Sequence, residues 1–139
     1  MDSLQLKMCD IQGRLFELSA VAGYESASFI EAFMNSQVAR YLDSRYNRLQ
    51  WAGEEYLLEE LIDEKTNVLK HGGGQYTKDE LFWIGYLYRY WHFYTDDSSQ
   101  KIYTLSPAST MKRNYLIFHT LDPEIAIDNL IEIFKQNQN

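Results

Sequence analysis

His71-Gly72-Gly73-Gly74 comes nearest to reacting machinery in this chain, because consecutive glycine N–H groups can be aimed at a developing oxyanion. That chemistry needs a serine on a strand-to-helix elbow in a Gly-x-Ser-x-Gly setting, and the sequence has no such motif. A phosphate-binding loop is excluded on similar grounds, since no strand precedes the glycines and no Gly-Lys-Ser/Thr follows them. They are read as a flexible loop between helices. His71, His92 and His119 are far apart, and none stands in His-x-x-x-His or Glu-x-x-His spacing, the usual grouping of helical metal ligands. They are read as structural or surface histidines, with no metal or other cofactor and no catalytic residue expected.

Two segments carry the remaining chemistry. Glu54, Glu55, Glu59, Glu60, Asp63 and Glu64 place six carboxylates in eleven residues with no Lys or Arg among them, close to the whole net charge of −7. The plain reading is a solvated helix face that aids solubility. The functional one is an electronegative surface around Glu55, Glu59 and Asp63 that steers and fits a basic partner. No perturbing pocket is evident that would make two of these glutamates an acid–base pair.

The second segment, Trp83-Ile84-Gly85-Tyr86-Leu87-Tyr88-Arg89-Tyr90-Trp91-His92-Phe93-Tyr94, is the most unusual stretch. Aromatic rings supply the largest burial per residue, which makes it core. Trp83, Tyr86, Arg89, Tyr90 and His92 also include the residue types enriched at binding hot spots, and both roles fit different faces of one helix. A buried Arg89 needs a partner, since an unpaired buried charge is costly; a Glu from the acidic segment is the expectation. Gly85 costs about 1 kcal/mol against Ala in a helix interior, so it signals close helix packing or a ligand at that point.

The elements that position these groups are helical. Leu4, Met8, Ile11, Leu15, Leu18 and Ala22 recur at alternating spacings of four and three, the seam of a bundle helix that Gly23 stops. Ser26 is expected to cap a second helix carrying Phe29, Ile30, Phe33 and Met34, and a short third holds Val38, Tyr41 and Leu42 before the polar turn Asp43-Ser44-Arg45. An amphipathic helix is expected over 54–69, with Leu57, Leu58, Leu61, Ile62, Val68 and Leu69 on its apolar face. Thr77-Lys78-Asp79-Glu80 has the form of a capping box, so the aromatic helix begins at Lys78; it is apolar nearly all round and should be central and enclosed. Thr95-Asp96-Asp97-Ser98 ends it. A brief helix over 102–105 follows, then two starts with proline at the first helical position, at Ser106-Pro107 and Asp122-Pro123. The expected fold is all-α: a compact bundle of about six to eight helices around the aromatic helix, one domain over 1–135 with a polar C-terminal tail at 136–139.

Composition bounds the function. A chain of 139 residues with 45% hydrophobic and 24% charged residues has a globular profile and buries about two-thirds of its unfolded surface without a staple. The lone Cys9 cannot form an internal disulfide, and no signal-peptide pattern or apolar run of membrane-spanning length occurs, so a cytoplasmic protein is expected. The negative balance opposes binding to phosphate backbones, which makes nucleic acid a poor partner and a basic protein a good one.

Three stretches carry a family resemblance: Gln50-Trp51-Ala52-Gly53-Glu54-Glu55-Tyr56-Leu57-Leu58-Glu59-Glu60-Leu61, then Trp83 to His92, then Arg113-Asn114-Tyr115-Leu116-Ile117-Phe118-His119-Thr120-Leu121-Asp122-Pro123. The chain resembles small bacterial antitoxin-like proteins of toxin–antitoxin loci, encoded beside toxin-like genes, some similar to ADP-ribosyltransferases. The resemblance implies a protein that binds and neutralises a cognate toxin, without chemistry of its own; the acidic segment is what makes a basic toxin the expected protein partner. Two other classes use the same residues: a small-molecule-binding or enzymatic helical domain with a pocket near Tyr86, Arg89, Tyr90 and His92, and an acidic inhibitor of a nuclease that mimics nucleic-acid charge.

Overall fold

A computed structural model describes residues 1–45 and 48–138; Asn139, the end of the tail, lies outside the described residues. Eight α-helices and one 3-10 turn make up the described chain: α1 (Ser3–Val21), α2 (Ser26–Met34), α3 (Gln37–Asp43), the turn Arg48–Trp51, α4 (Glu54–Lys65), α5 (Lys78–Thr95), α6 (Ser99–Leu105), α7 (Ala108–Phe118) and α8 (Pro123–Gln136). Among the described residues there is no strand, only an isolated antiparallel bridge between Tyr24 and His71. No described helix is long and apolar enough to cross a membrane. The all-α bundle built around the aromatic helix is therefore what the sequence led one to expect, and the first residue of the tail, Gln136, still belongs to α8.

α1 and α5 form the long central pair. Both begin in capping boxes: Asp2 with Gln5, and Thr77 with Glu80, each satisfying two free amides reciprocally. The buried face of α1 keeps Met8 and Leu15 of the expected seam, with Leu4, Ile11 and Leu18 packed at its edge, but is centred to one side of it. It runs through Met8, Cys9, Gln12, Gly13, Leu15, Phe16 and Ser19, whereas Ile11 and Leu18 are half-buried and Ala22 is exposed. The physical reason is size, because Cys9, Gly13 and Ser19 leave room for the backbone of α5 to come close. A Cβ built on Gly85 would lie 2.5 Å from the Gln12 carbonyl oxygen and 2.8 Å from Phe16 Cγ. Gly85 thus marks close helix packing, the first of the two meanings its position allowed.

α4 and α2 also pack on α1, and α3 joins α2 and α4. Phe29, Ile30, Phe33 and Met34 are buried as expected, and Phe16 meets Phe29 and Phe33 edge-on with centroids 5.5 and 5.4 Å away. Ser26 does not cap α2: Glu25 is the N-cap, and the Ser26 hydroxyl instead accepts the Tyr76 N–H at 2.9 Å. Similarly Ser106 is not the cap of α7, whose N-cap is Pro107; the Ser106 hydroxyl points inward to the Met111 sulfur at 3.0 Å. At Asp122-Pro123 the expected start holds.

α4 stops at Lys65, not at 69, and Val68 is 52% exposed. At the end of the helix the Thr66 hydroxyl donates to the Ile62 carbonyl at 2.5 Å, a side-chain bond of the kind that weakens a helix turn. The glycine segment that follows does not hang free. Gly72 N–H donates to the Gly23 carbonyl at 2.9 Å, Ser26 N–H to the Gly74 carbonyl at 3.1 Å, and the His71 and Tyr24 rings lie 4.5 Å apart. Gly23, Gly72 and Gly73 all adopt positive φ, which glycine alone takes readily.

Candidate functional site

The eight residues singled out in the sequence fall into three places. Arg89 and His92 face inward on α5 and are buried; Trp83, Tyr86 and Tyr90 sit half-buried on its outer face; Glu55, Glu59 and Asp63 are exposed along α4. α5 is therefore central, as expected: its inner face is fully buried and its outer face is half-covered, with no exposed residue from Glu80 to Phe93.

The inner cluster is a connected polar network in which each Arg89 nitrogen has a partner. Arg89, 1% exposed, donates from Nε to Gln12 Oε1 at 2.8 Å, from Nη1 to Asp43 Oδ1 at 2.6 Å and from Nη2 to Ser99 Oγ at 3.2 Å. Its partner is thus Asp43, at the end of α3, and not a glutamate of α4. Asp43 in turn accepts from Ser99 N–H at 2.9 Å and Ser99 Oγ–H at 2.7 Å. Gln12 passes its own N–H to the Gly85 carbonyl at 2.9 Å, and His92 Nδ1 lies 2.7 Å from the Asp97 carbonyl and 3.7 Å from Asp43. These bonds tie α1, α3, α5 and α6 together through one guanidinium.

Arg89 and Gln12 border a space of about 40 Å³ among Met8, Ile11, Leu42 and Leu57, room for a few waters, whereas His92 and Asp43 line a larger cavity of about 420 Å³ with Leu4, Gln50 and Phe93. Burial pushes the Cys9 thiol up to about 12, with the Arg89 charge opposing the shift. Only a thiolate attacks, so iodoacetamide at pH 8 is expected to leave Cys9 unmodified in the native protein and to add one adduct after denaturation. An adduct in the native intact mass would contradict this burial. The same shift contributes to the alkaline limb of stability: a thiol with an ordinary value of 9.0 ionises first in the unfolded chain, so its contribution is level below about pH 9 and is lost as pH rises toward 12, with the buried Tyr88 phenol acting in the same direction. Among the described residues no group of three or more His, Cys, Asp or Glu side chains is arranged to hold a metal ion.

The outer face of α5 is built differently. Phe82, Tyr86 and Tyr90 follow at i, i+4, i+8 and stack with centroids 5.9 and 6.3 Å apart. Tyr90 donates to Glu124 at 3.2 Å and Tyr94 to Asp128 at 3.0 Å, which fastens α5 to α8. Burial first and then the Glu124 carboxylate raise the Tyr90 phenol, so it stays a donor. Toward α7, Trp83 meets Tyr115 edge-on at 5.7 Å, and Tyr115 stacks on His119 at 4.4 Å. These rings border an open groove of about 480 Å³ with Leu87, Leu121 and Pro123 as further apolar lining and with Glu17 and Asp79 contributing charge.

Compared with protein-family models, with curated proteins and with solved structures, the chain matches none. Its function therefore has to be read from its own surfaces.

The α4 surface is the more acidic of the two. Glu55, Glu59 and Asp63 recur every four residues and form one exposed stripe, none of them with an ion-pair partner among the described residues. Trp51 is 76% exposed beside the start of the helix and Tyr56 46% exposed on it. Glu64 is not part of the free set: it accepts the Gln37 and Val38 N–H groups at 2.7 and 3.2 Å and caps α3.

Reading the sequence missed Gln12, Asp43 and Ser99 around Arg89, and Glu17, Asp79, Tyr115 and His119 around the groove. Asp79, Trp83 and Tyr86 stand at helical spacing on α5, a stripe visible in the sequence. The partners from other helices leave no such trace.

Proposed function

We propose that this chain is an antitoxin-like binding protein that neutralises a basic partner protein by direct contact. The observation that carries the reading is the α4 surface, where the unpaired stripe Glu55, Glu59 and Asp63 lies beside exposed Trp51 and Tyr56. Free carboxylates steer a basic protein toward the surface and reject acidic ones. Large exposed aromatic rings supply the contact area that turns an encounter into a complex. Arg89, already bonded to three side chains, plays its part in holding the bundle that presents these surfaces.

The test is association with the product of the adjacent gene. Wild type is expected to co-purify with it as a defined complex, at a rate that falls steeply with added salt. Reversing the stripe with Glu55→Lys, Glu59→Lys and Asp63→Lys should slow association by about tenfold or more at low salt while leaving the melting temperature near that of wild type. The absence of any complex would sink the reading.

A further inference from the structure

A second surface is better built for one chemical group than for a broad contact. The groove between α5 and α7 has Trp83, Tyr86, Tyr115 and His119 rings on its walls and carboxylates at Glu17 and Asp79. Neither carboxylate has an ion-pair partner among the described residues, and no Lys or Arg lines the groove. Aromatic faces attract a cation electrostatically, and unpaired carboxylates add to that attraction in the same place. Its volume of about 480 Å³ falls in the range of roughly 300–1,000 Å³ that accommodates a small ligand.

The molecule already uses this chemistry internally. Lys112 Nζ sits 5.4 Å from the Tyr76 ring centroid and 3.5 Å from a Glu80 oxygen, a cation held between a ring and a carboxylate. The groove presents the same pair of features with the cation missing from this chain's own side chains. Leu87, Leu121 and Pro123 suit an aliphatic stem, and flat rings suit a flat head. Guanidinium meets both demands: it is planar, stacks on aromatic faces and pairs with carboxylates in a fixed fork. Glu17 also borders a separate shallow depression that reaches Glu54 and Glu55 of α4, with Arg14 and Lys78 on its rim.

We propose that this groove seats one arginine side chain of the protein partner, which anchors the complex beside the α4 stripe. The inference rests on the binding function proposed above, and supplies its chemical determinant. Arg14, engaged by Asp10 at 2.9 Å, is not the occupant.

The direct test titrates acetyl-Gly-Arg-Gly-amide into the ¹⁵N-labelled protein and follows the Trp83 indole N–H signal. A saturable shift is expected for the arginine peptide, a weaker one for its lysine counterpart and none for the citrulline peptide, which keeps the shape and loses the charge. Glu17→Gln with Asp79→Asn should weaken the arginine peptide by about tenfold. No shift at Trp83, an equal shift with citrulline, equal or tighter binding of lysine, or unchanged affinity in the double variant would each overturn the proposal. Titration of the adjacent gene's product separates the two claims. If it binds wild type and the double variant equally, the groove inference fails and the binding function stands. If the arginine peptide titrates into the groove while that product forms no complex, the groove stands and the assigned function fails.

Discussion

Replacing Arg89 by alanine is expected to cost about 3–5 kcal/mol of stability, because it strands a buried carboxylate instead of merely deleting a contact. Asp43 would keep its bonds from Ser99 and lose the guanidinium at 2.6 Å, while Gln12 would lose the donor to its side-chain oxygen. Domains of this kind are stable by about 5–15 kcal/mol in total, so the loss is a large share. Thermal unfolding followed by circular dichroism should show a midpoint lowered by roughly 10–20 °C. The pair Arg89→Met with Asp43→Leu should recover part of that loss, since no charge is then left unpaired. A single Arg89→Ala variant that melts with wild type would mean the network is not buried as described.

The second large effect reverses a general expectation. Glycine to alanine within a helix ordinarily gains about 1 kcal/mol. At Gly85 the added Cβ would meet the Gln12 carbonyl oxygen at 2.5 Å, and that oxygen cannot retreat without moving α1. Overpacking of this sort costs about 1–3 kcal/mol, so Gly85→Ala is expected to destabilise in urea titration. Gly13→Ala makes an instructive partner. Its Cβ would meet the half-buried Phe82 ring at 2.8 Å, and a ring at the surface can swing aside more readily than a backbone carbonyl, although the Phe82 carbonyl at 3.0 Å limits the relief. The loss at Gly13 should therefore be the smaller of the two, and a gain in stability at Gly85 would show that α1 and α5 are further apart.

These two residues also show what could be read from the sequence and what could not. The capping box at Thr77, the aromatic helix it opens and the proline start at Pro123 are local signals, and the structure has them at the expected residues. Gly85 was legible as a close approach, but the helix that approaches was not. The centre of the inward face of α1 was misjudged because apolar spacing favours Ile11 and Leu18, whereas packing selected small residues and the polar Gln12 that Arg89 requires. Arg89 was legible as a charge needing a partner; that the partner is Asp43, 46 residues away, depends on how α3 folds back and on nothing local. The groove behaves likewise. Trp83 and Tyr86 were singled out on their own helix, while Glu17, Tyr115 and His119 reach it from α1 and α7 or just beyond, through tertiary packing.

Neutralisation of a basic partner is the central claim, and growth reports it most directly. The adjacent gene's product would be expressed in a bacterial host alone, with this chain, and with the chain carrying Glu55→Lys, Glu59→Lys and Asp63→Lys. The predicted result is arrested growth with the product alone, restored growth with wild type and little or no restoration with the reversed stripe. Arrest that wild type fails to relieve, or relief equally complete with the reversed stripe, would contradict it.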